Sequence, residues 1–114
     1  MPTIKRFEDL EVWRLAMEVA EQVYALCRKD PLRRDASLCD QMQRAAVSVP
    51  SNIAEGFENS SRNQFLRFLF IARGSAGELR TQLLLTGRVH RLDVTTVTTK
   101  CERLSKQFWA SSNI

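Results

Sequence analysis

One histidine, three prolines and four glycines are all that 114 residues contain of those types, and each scarcity excludes something. So little glycine and proline argues against a loop-rich or disordered chain. A single histidine disfavours a histidine-based metal site within one chain. The three cysteines, Cys27, Cys39 and Cys101, are odd in number, widely spaced and form no CxxC pair, which suits reduced thiols in a cytoplasmic protein better than a disulfide framework. No run of 18 apolar residues is present, so no membrane span is expected, and the start "MPTIKRFEDLEVW" lacks the apolar stretch of a secretory signal. Glycine-rich phosphate loops, HExxH and a nucleophile elbow are missing too. The expectation is therefore no enzyme, no cofactor, no metal and no small-molecule substrate.

What is present is apolar rhythm at helical spacing, in four segments. The first, about 9–29, carries two stripes: Leu10, Trp13, Met17, Ala20, Tyr24 and Cys27, and beside them Val12, Ala16, Val19, Val23 and Leu26. Asp9 is the expected N-cap, and Asp30-Pro31 the expected stop. The second, about 37–58, keeps one phase through Leu38, Met42, Ala45, Val49, Ile53 and Phe57 although Pro50 lies inside it. A fresh helix starting at Asn52, with Glu55 closing a capping box, would have no reason to keep that phase. One helix kinked at Pro50 is the reading, with two helices meeting at the proline as its alternative. A proline there removes a backbone bond and costs roughly 3 kcal/mol; Ser48 and Ser51 are expected to satisfy the freed groups.

The third segment, about 62–90, opens on a capping-box pattern of Ser61 and Gln64. Phe65, Leu69, Ala72, Ala76, Leu79, Leu83, Thr86 and His90 then follow at alternating steps of four and three, a heptad seam that needs a neighbour at a shallow angle. Phe68 and Ile71 beside the seam suggest wide burial. Glycines at 74 and 77, in "GSAG", cost about 1 kcal/mol each inside a helix, which the close approach of another backbone would offset. The fourth segment, about 94–109, carries Val94, Val97, Cys101, Leu104 and Phe108, with Asp93 as its expected N-cap. Four such helices on short connections make a single all-α domain over 1–114, an up-down-up-down four-helix bundle. The apolar faces exceed what one such core needs, which points to a homo-oligomer.

Charge is uneven. Between residues 62 and 91 there are six arginines and one acid, Glu78; between 7 and 29, five acids face three bases. Arg67 and Arg88 share one heptad position and Arg73 and Arg80 the neighbouring one, a basic stripe away from the seam. Such a stripe suits backbone phosphates of RNA or DNA; the bland reading is a solvated face or ion pairing to acids such as Glu18 and Glu21. No aromatic is interleaved with it to serve as a stacking platform. Glu55 is expected to pair with Arg44 or Arg62, or to accept N–H groups around Pro50. His90 reads as a structural or exposed helix-terminal residue, and the cysteines as small core residues.

Three stretches, "FEDLEVWRLAMEVAEQVY", "LCDQMQRAAVSVPSNIAEGF" and "RFLFIARGSAGELRTQL", resemble in order and spacing the four-helix proteins encoded in intervening sequences of bacterial 23S ribosomal RNA genes. The middle block carries the most specific match, at Gln41, Arg44, Ala45, Ser48, Pro50, Asn52, Ile53, Ala54, Glu55 and Gly56. The third segment adds Phe68, Leu69, Ala72, Gly74, Ser75, Glu78, Leu79 and Thr81. Arg80 departs from the family, which usually has an acid there. The resemblance implies a four-helix bundle that tends to assemble as a ring of five. The chain is also similar to accessory proteins of diversity-generating retroelements, basic pentamers that bind nucleic acid and a reverse transcriptase. Two functions follow as expectations: a nucleic-acid-binding adaptor using Arg67, Arg73, Arg80 and Arg88, or a structural or protein-interaction scaffold without a nucleic-acid role.

Overall fold

The computed structural model describes residues 4–59 and 61–112. Four helices follow one another: α1 (Glu11–Leu26), α2 (Ala36–Glu58), α3 (Arg62–His90) and α4 (Thr95–Ser111), with short 3-10 turns at Phe7–Asp9 and Leu32–Arg34. No strand occurs among the described residues. Each of α1 and α3 packs mainly on α2 and α4, the adjacency of an up-down-up-down bundle, in a body 46 × 21 × 18 Å.

The ends of the helices show how local chemistry sets their limits. Asp9 does not cap α1. It sits in the 3-10 turn, its carboxylate 3.4 Å from Arg14, and Leu10 holds the N-cap position without a side-chain hydrogen bond. The ring of Phe7 packs 5.2 Å from that of Trp13 and anchors the entry instead. α1 also ends at Leu26, before Asp30-Pro31; the buried Leu32 of the following turn closes that end of the core. Asp35 caps α2, its Oδ1 accepting from the Leu38 N–H at 3.2 Å. Ser61 caps α3 by accepting from the Gln64 N–H at 3.1 Å, as the capping pattern requires. α3 ends at Arg91, whose φ of 55° is left-handed, a common helix stop. At α4 the N-cap position falls on Val94, one residue later than expected, yet the Asp93 carboxylate still accepts from the Thr95 N–H at 3.0 Å.

α2 runs helical through Pro50, so the apolar phase carried across the proline reflects one element and not two. Its buried side is Cys39, Met42, Ala45, Ala46, Val49, Pro50, Ile53 and Gly56. The heptad seam of α3 faces inward: Leu69, Ala72, Ala76, Leu79, Leu83 and Thr86 are buried. Met42, Ile53, Leu79, Leu83 and Leu104 are among the largest side chains removed from water, from three helices, and the valines of α1 complete the layer. Burial of such side chains at roughly 1.5–3 kcal/mol each outweighs the proline's local cost. α3 is not widely buried, however. Ile71 is exposed, because a helix at the corner of a bundle touches neighbours over only part of its circumference.

Candidate functional site

The arginines do not form one stripe. Arg73 and Arg80 turn toward α4. The Arg80 guanidinium lies 3.1 Å from Glu102, and that of Arg73 stacks 4.6 Å from the ring of Trp109 and 5.6 Å from Phe70. Arg67 and Arg88 point outward without a partner among the described residues. They are separated by about 31 Å of helix at 1.5 Å per residue. Neighbouring heptad letters stand about 100° apart around a helix, so Arg73 and Arg80 lie about a quarter turn from Arg67 and Arg88, on the flank where α4 packs. The acid that meets Arg80 comes from α4; Glu18 meets Lys100 of α4 at 4.0 Å, and Glu21 is left without an ion pair among the described residues. An aromatic platform exists after all. Phe70, one turn before Arg73, is a signal present in the sequence; Trp109 arrives from a different helix. Arg62 donates to the Ser112 carbonyl at 3.2 Å.

The block around Pro50 joins helices. The Ser48 hydroxyl lies 2.9 Å from that of Ser75, linking α2 to α3, and the Asn52 amide donates to the Ser48 carbonyl at 2.8 Å and to its hydroxyl at 3.0 Å. Ser48 therefore engages a neighbouring helix instead of the carbonyl opened by the proline, and Ser51 is exposed on a groove wall. Gly56 is a point of close approach between the two helices. A Cβ there would sit 2.6 Å from the Phe68 Cβ and 3.3 Å from the Phe65 carbonyl. At Gly74 and Gly77, by contrast, a Cβ would meet nothing within 4 Å, so the expected close approach is not made among the described residues. Arg44 pairs with Asp40 at 2.9 Å, and Glu55 is exposed with no ion pair among the described residues.

Where α2 meets α3 at its far end, Asp35 binds twice. While Oδ1 caps α2, Oδ2 lies 2.9 Å from His90 Nε2. These bonds, that from His90 foremost, hold the Asp35 carboxyl below its ordinary range. Sequence reasoning places His90 correctly at the seam's end but cannot pair it with a residue 55 positions away. The cysteines are buried. Burial pushes the Cys27 thiol, which neighbours Cys39, up to about 12 and that of Cys101 up to about 11, so both stay protonated and poorly nucleophilic. Among the described residues no three His, Cys, Asp or Glu side chains gather to hold a metal ion, and no helix is long and apolar enough to cross a membrane.

Two apolar surfaces stand open among the described residues. A groove of about 680 Å³ between α1 and α2 is lined by Trp13, Met17, Ala20, Tyr24, Val47 and Pro50, among others. It is the outer of the two α1 stripes that forms it; the inner one, Val12 to Leu26, is buried. The second surface is the outside of α3, where Phe70, Ile71, Leu84, Leu85 and Val89 are exposed.

The architecture is that of a four-helix bundle whose notable features are helix-packing motifs and uncovered faces. The chain belongs to the 23S rRNA-intervening sequence protein family, whose model matches residues 8–110. In fold it is similar to a crystal structure of a protein of unknown function from the S23 ribosomal protein family of Bacteroides thetaiotaomicron, with a TM-score of 0.82, 20% identity, and coverage of 90% of this chain and 96% of that one. The comparison with curated proteins finds no match.

Proposed function

We propose that this protein is a non-enzymatic, self-associating scaffold, a bundle that works as a homo-oligomer. The observation that carries the reading is the outer face of α3: Phe70 and Val89 are each 59% exposed, with Ile71, Leu84 and Leu85 between 43% and 48%. These side chains form two exposed apolar clusters on one helix, Phe70 with Ile71 and Leu84 with Leu85 and Val89, about 20 Å apart; exposed apolar surface of this kind marks association surfaces, and covering each side chain fully would contribute roughly 1.5–3 kcal/mol. The number of copies expected from the family resemblance is five. Light scattering at micromolar concentration tests it. A mass several times the 13.1 kDa of one chain is expected, and a clean monomer overturns the reading.

A second reading, nucleic-acid backbone binding, is favoured by a separate observation. Arg67 and Arg88 are exposed without partners among the described residues, and Arg73 lies against the exposed rings of Phe70 and Trp109, a combination of cation and stacking surface suited to single strands. Repetition around an oligomer would raise avidity. Titration with generic RNA and DNA over a range of salt tests it. Affinity should fall steeply with salt, and Arg67→Gln with Arg88→Gln should lower the slope by about one unit for each phosphate no longer neutralised. No binding at low salt leaves the scaffold alone.

A further inference from the structure

The groove and the outer face of α3 are matched to each other. The face has an internal order: Phe70, Gly74, Gly77, Thr81, Leu84 and Arg88 recur at steps of four and three and are all exposed. This is a second heptad stripe, able to lie along another helix pair at a shallow angle. It is bulky at its two ends and hollow in the middle, since nothing among the described residues occupies the space beside Gly74 and Gly77 within 4 Å. From Phe70 to Leu84 it measures about 21 Å along the helix. The groove runs along α1 from Trp13 to Tyr24, about 17 Å by the same rise, and continues past the end of the helix to Arg28. Its walls carry Tyr24 and Val47, 40% and 45% exposed, side chains that a small-residue hollow can receive.

Charge agrees with shape. Glu21 and Arg28 stand on the groove walls and make no ion pair within the chain among the described residues. The α3 stripe ends on Arg88 and is flanked by Arg67 and Glu78. Each wall charge thus has an opposite charge available on the other surface, whereas two α3 faces set against each other would bring together the arginine-rich sides.

Resting on the self-association reading, we infer that the α1–α2 groove of one copy receives the outer stripe of α3 from the next. The contact is head to tail: each chain offers one groove and one stripe, so the assembly either closes into a ring or extends.

Two surface variants test it, with folding checked by circular dichroism. Val47→Glu spoils the groove and leaves the stripe; Leu84→Glu spoils the stripe and leaves the groove. Both positions are exposed, so both chains should melt like the parent at dilution. Each variant alone should fall to the mass of one chain. Mixed in equal amounts, they should form a two-chain species, because the intact stripe of the first fits the intact groove of the second. Gly77→Leu, which fills the hollow, should also give single chains. Assembly of Val47→Glu at the parental mass, or a mixture that stays monomeric, overturns the pairing while leaving self-association standing. A parent chain that is itself monomeric overturns both.

Discussion

α3 carries two heptad stripes, and their fates differ. The inner one, Leu69 to Thr86, is buried against the rest of the bundle. The outer one, Phe70 to Arg88, is open along its length. Both have the four-three spacing, and both include small residues between large ones. The difference lies in the neighbours. Gly56 of α2 lets α3 approach until its absent Cβ would lie 2.6 Å from Phe68, while nothing among the described residues lies within 4 Å of a Cβ at Gly74 or Gly77. Spacing shows that a helix surface can pack; only a partner surface decides that it does.

The sharpest way to break this comparison is to truncate one leucine on each stripe. Leu79→Ala, at a fully buried position, should lower the unfolding free energy in urea by about 2–5 kcal/mol. Leu84→Ala should change it by less than about 0.5 kcal/mol in dilute single chains but should weaken assembly in light scattering. Equal losses of folding stability would mean that the outer stripe is part of the core.

The glycines sharpen it further. Gly56→Ala forces a Cβ against another side chain's Cβ and a carbonyl, neither a flexible end, and should destabilise by about 1–3 kcal/mol. Gly74→Ala meets open space and should stabilise dilute chains by about 0.5–1 kcal/mol through helix propensity. The opposite signs, read from thermal melts side by side, are the expected result.

The link between the inner seam and the cap of α2 gives a smaller effect. The Asp35 carboxyl is held below its ordinary value of 3.8 by the hydrogen bond from His90 and the Leu38 N–H. A depressed carboxyl pKa means that the unfolded chain binds the proton more readily. The stabilisation is then present above about pH 4 and lost as pH falls through the lowered native value. Asp35→Asn should make the melting temperature fall less between about pH 5 and pH 3 than it does in the parent. Parallel pH profiles would show that the contact contributes nothing. Smallest of all is Arg80→Gln. Because the pair with Glu102 is exposed, it should cost no more than about 1 kcal/mol, read as a small shift in the urea midpoint.

Much of the fold is legible in the sequence because it is local. The helices, the α3 seam and the Ser61 cap depend on residues three or four apart, and the continuity of α2 through Pro50 is visible as an unbroken phase. Less legible are the ends of α1, where packing of Phe7 on Trp13 replaces an aspartate cap and the helix stops before its proline. The four arginines divide because neighbouring heptad letters stand about 100° apart around a helix, which turns 73 and 80 toward Glu102 and Trp109 of α4, residues no local pattern on α3 announces. The 23S rRNA-intervening sequence family is recognisable from the block around Pro50, whose Ser48 and Gly56 join α2 to α3 while Asn52 braces Ser48 from within α2.

By itself the sequence determined an all-α bundle with a basic third helix, since amphipathic period, capping and charge are written along the chain. Tertiary structure alone decided which apolar stripes became core and which stayed open, which arginines were engaged, and that Asp35 and His90 meet. Those outcomes rest on contacts between residues dozens of positions apart, and no local period encodes which of two similar faces a neighbouring helix will cover.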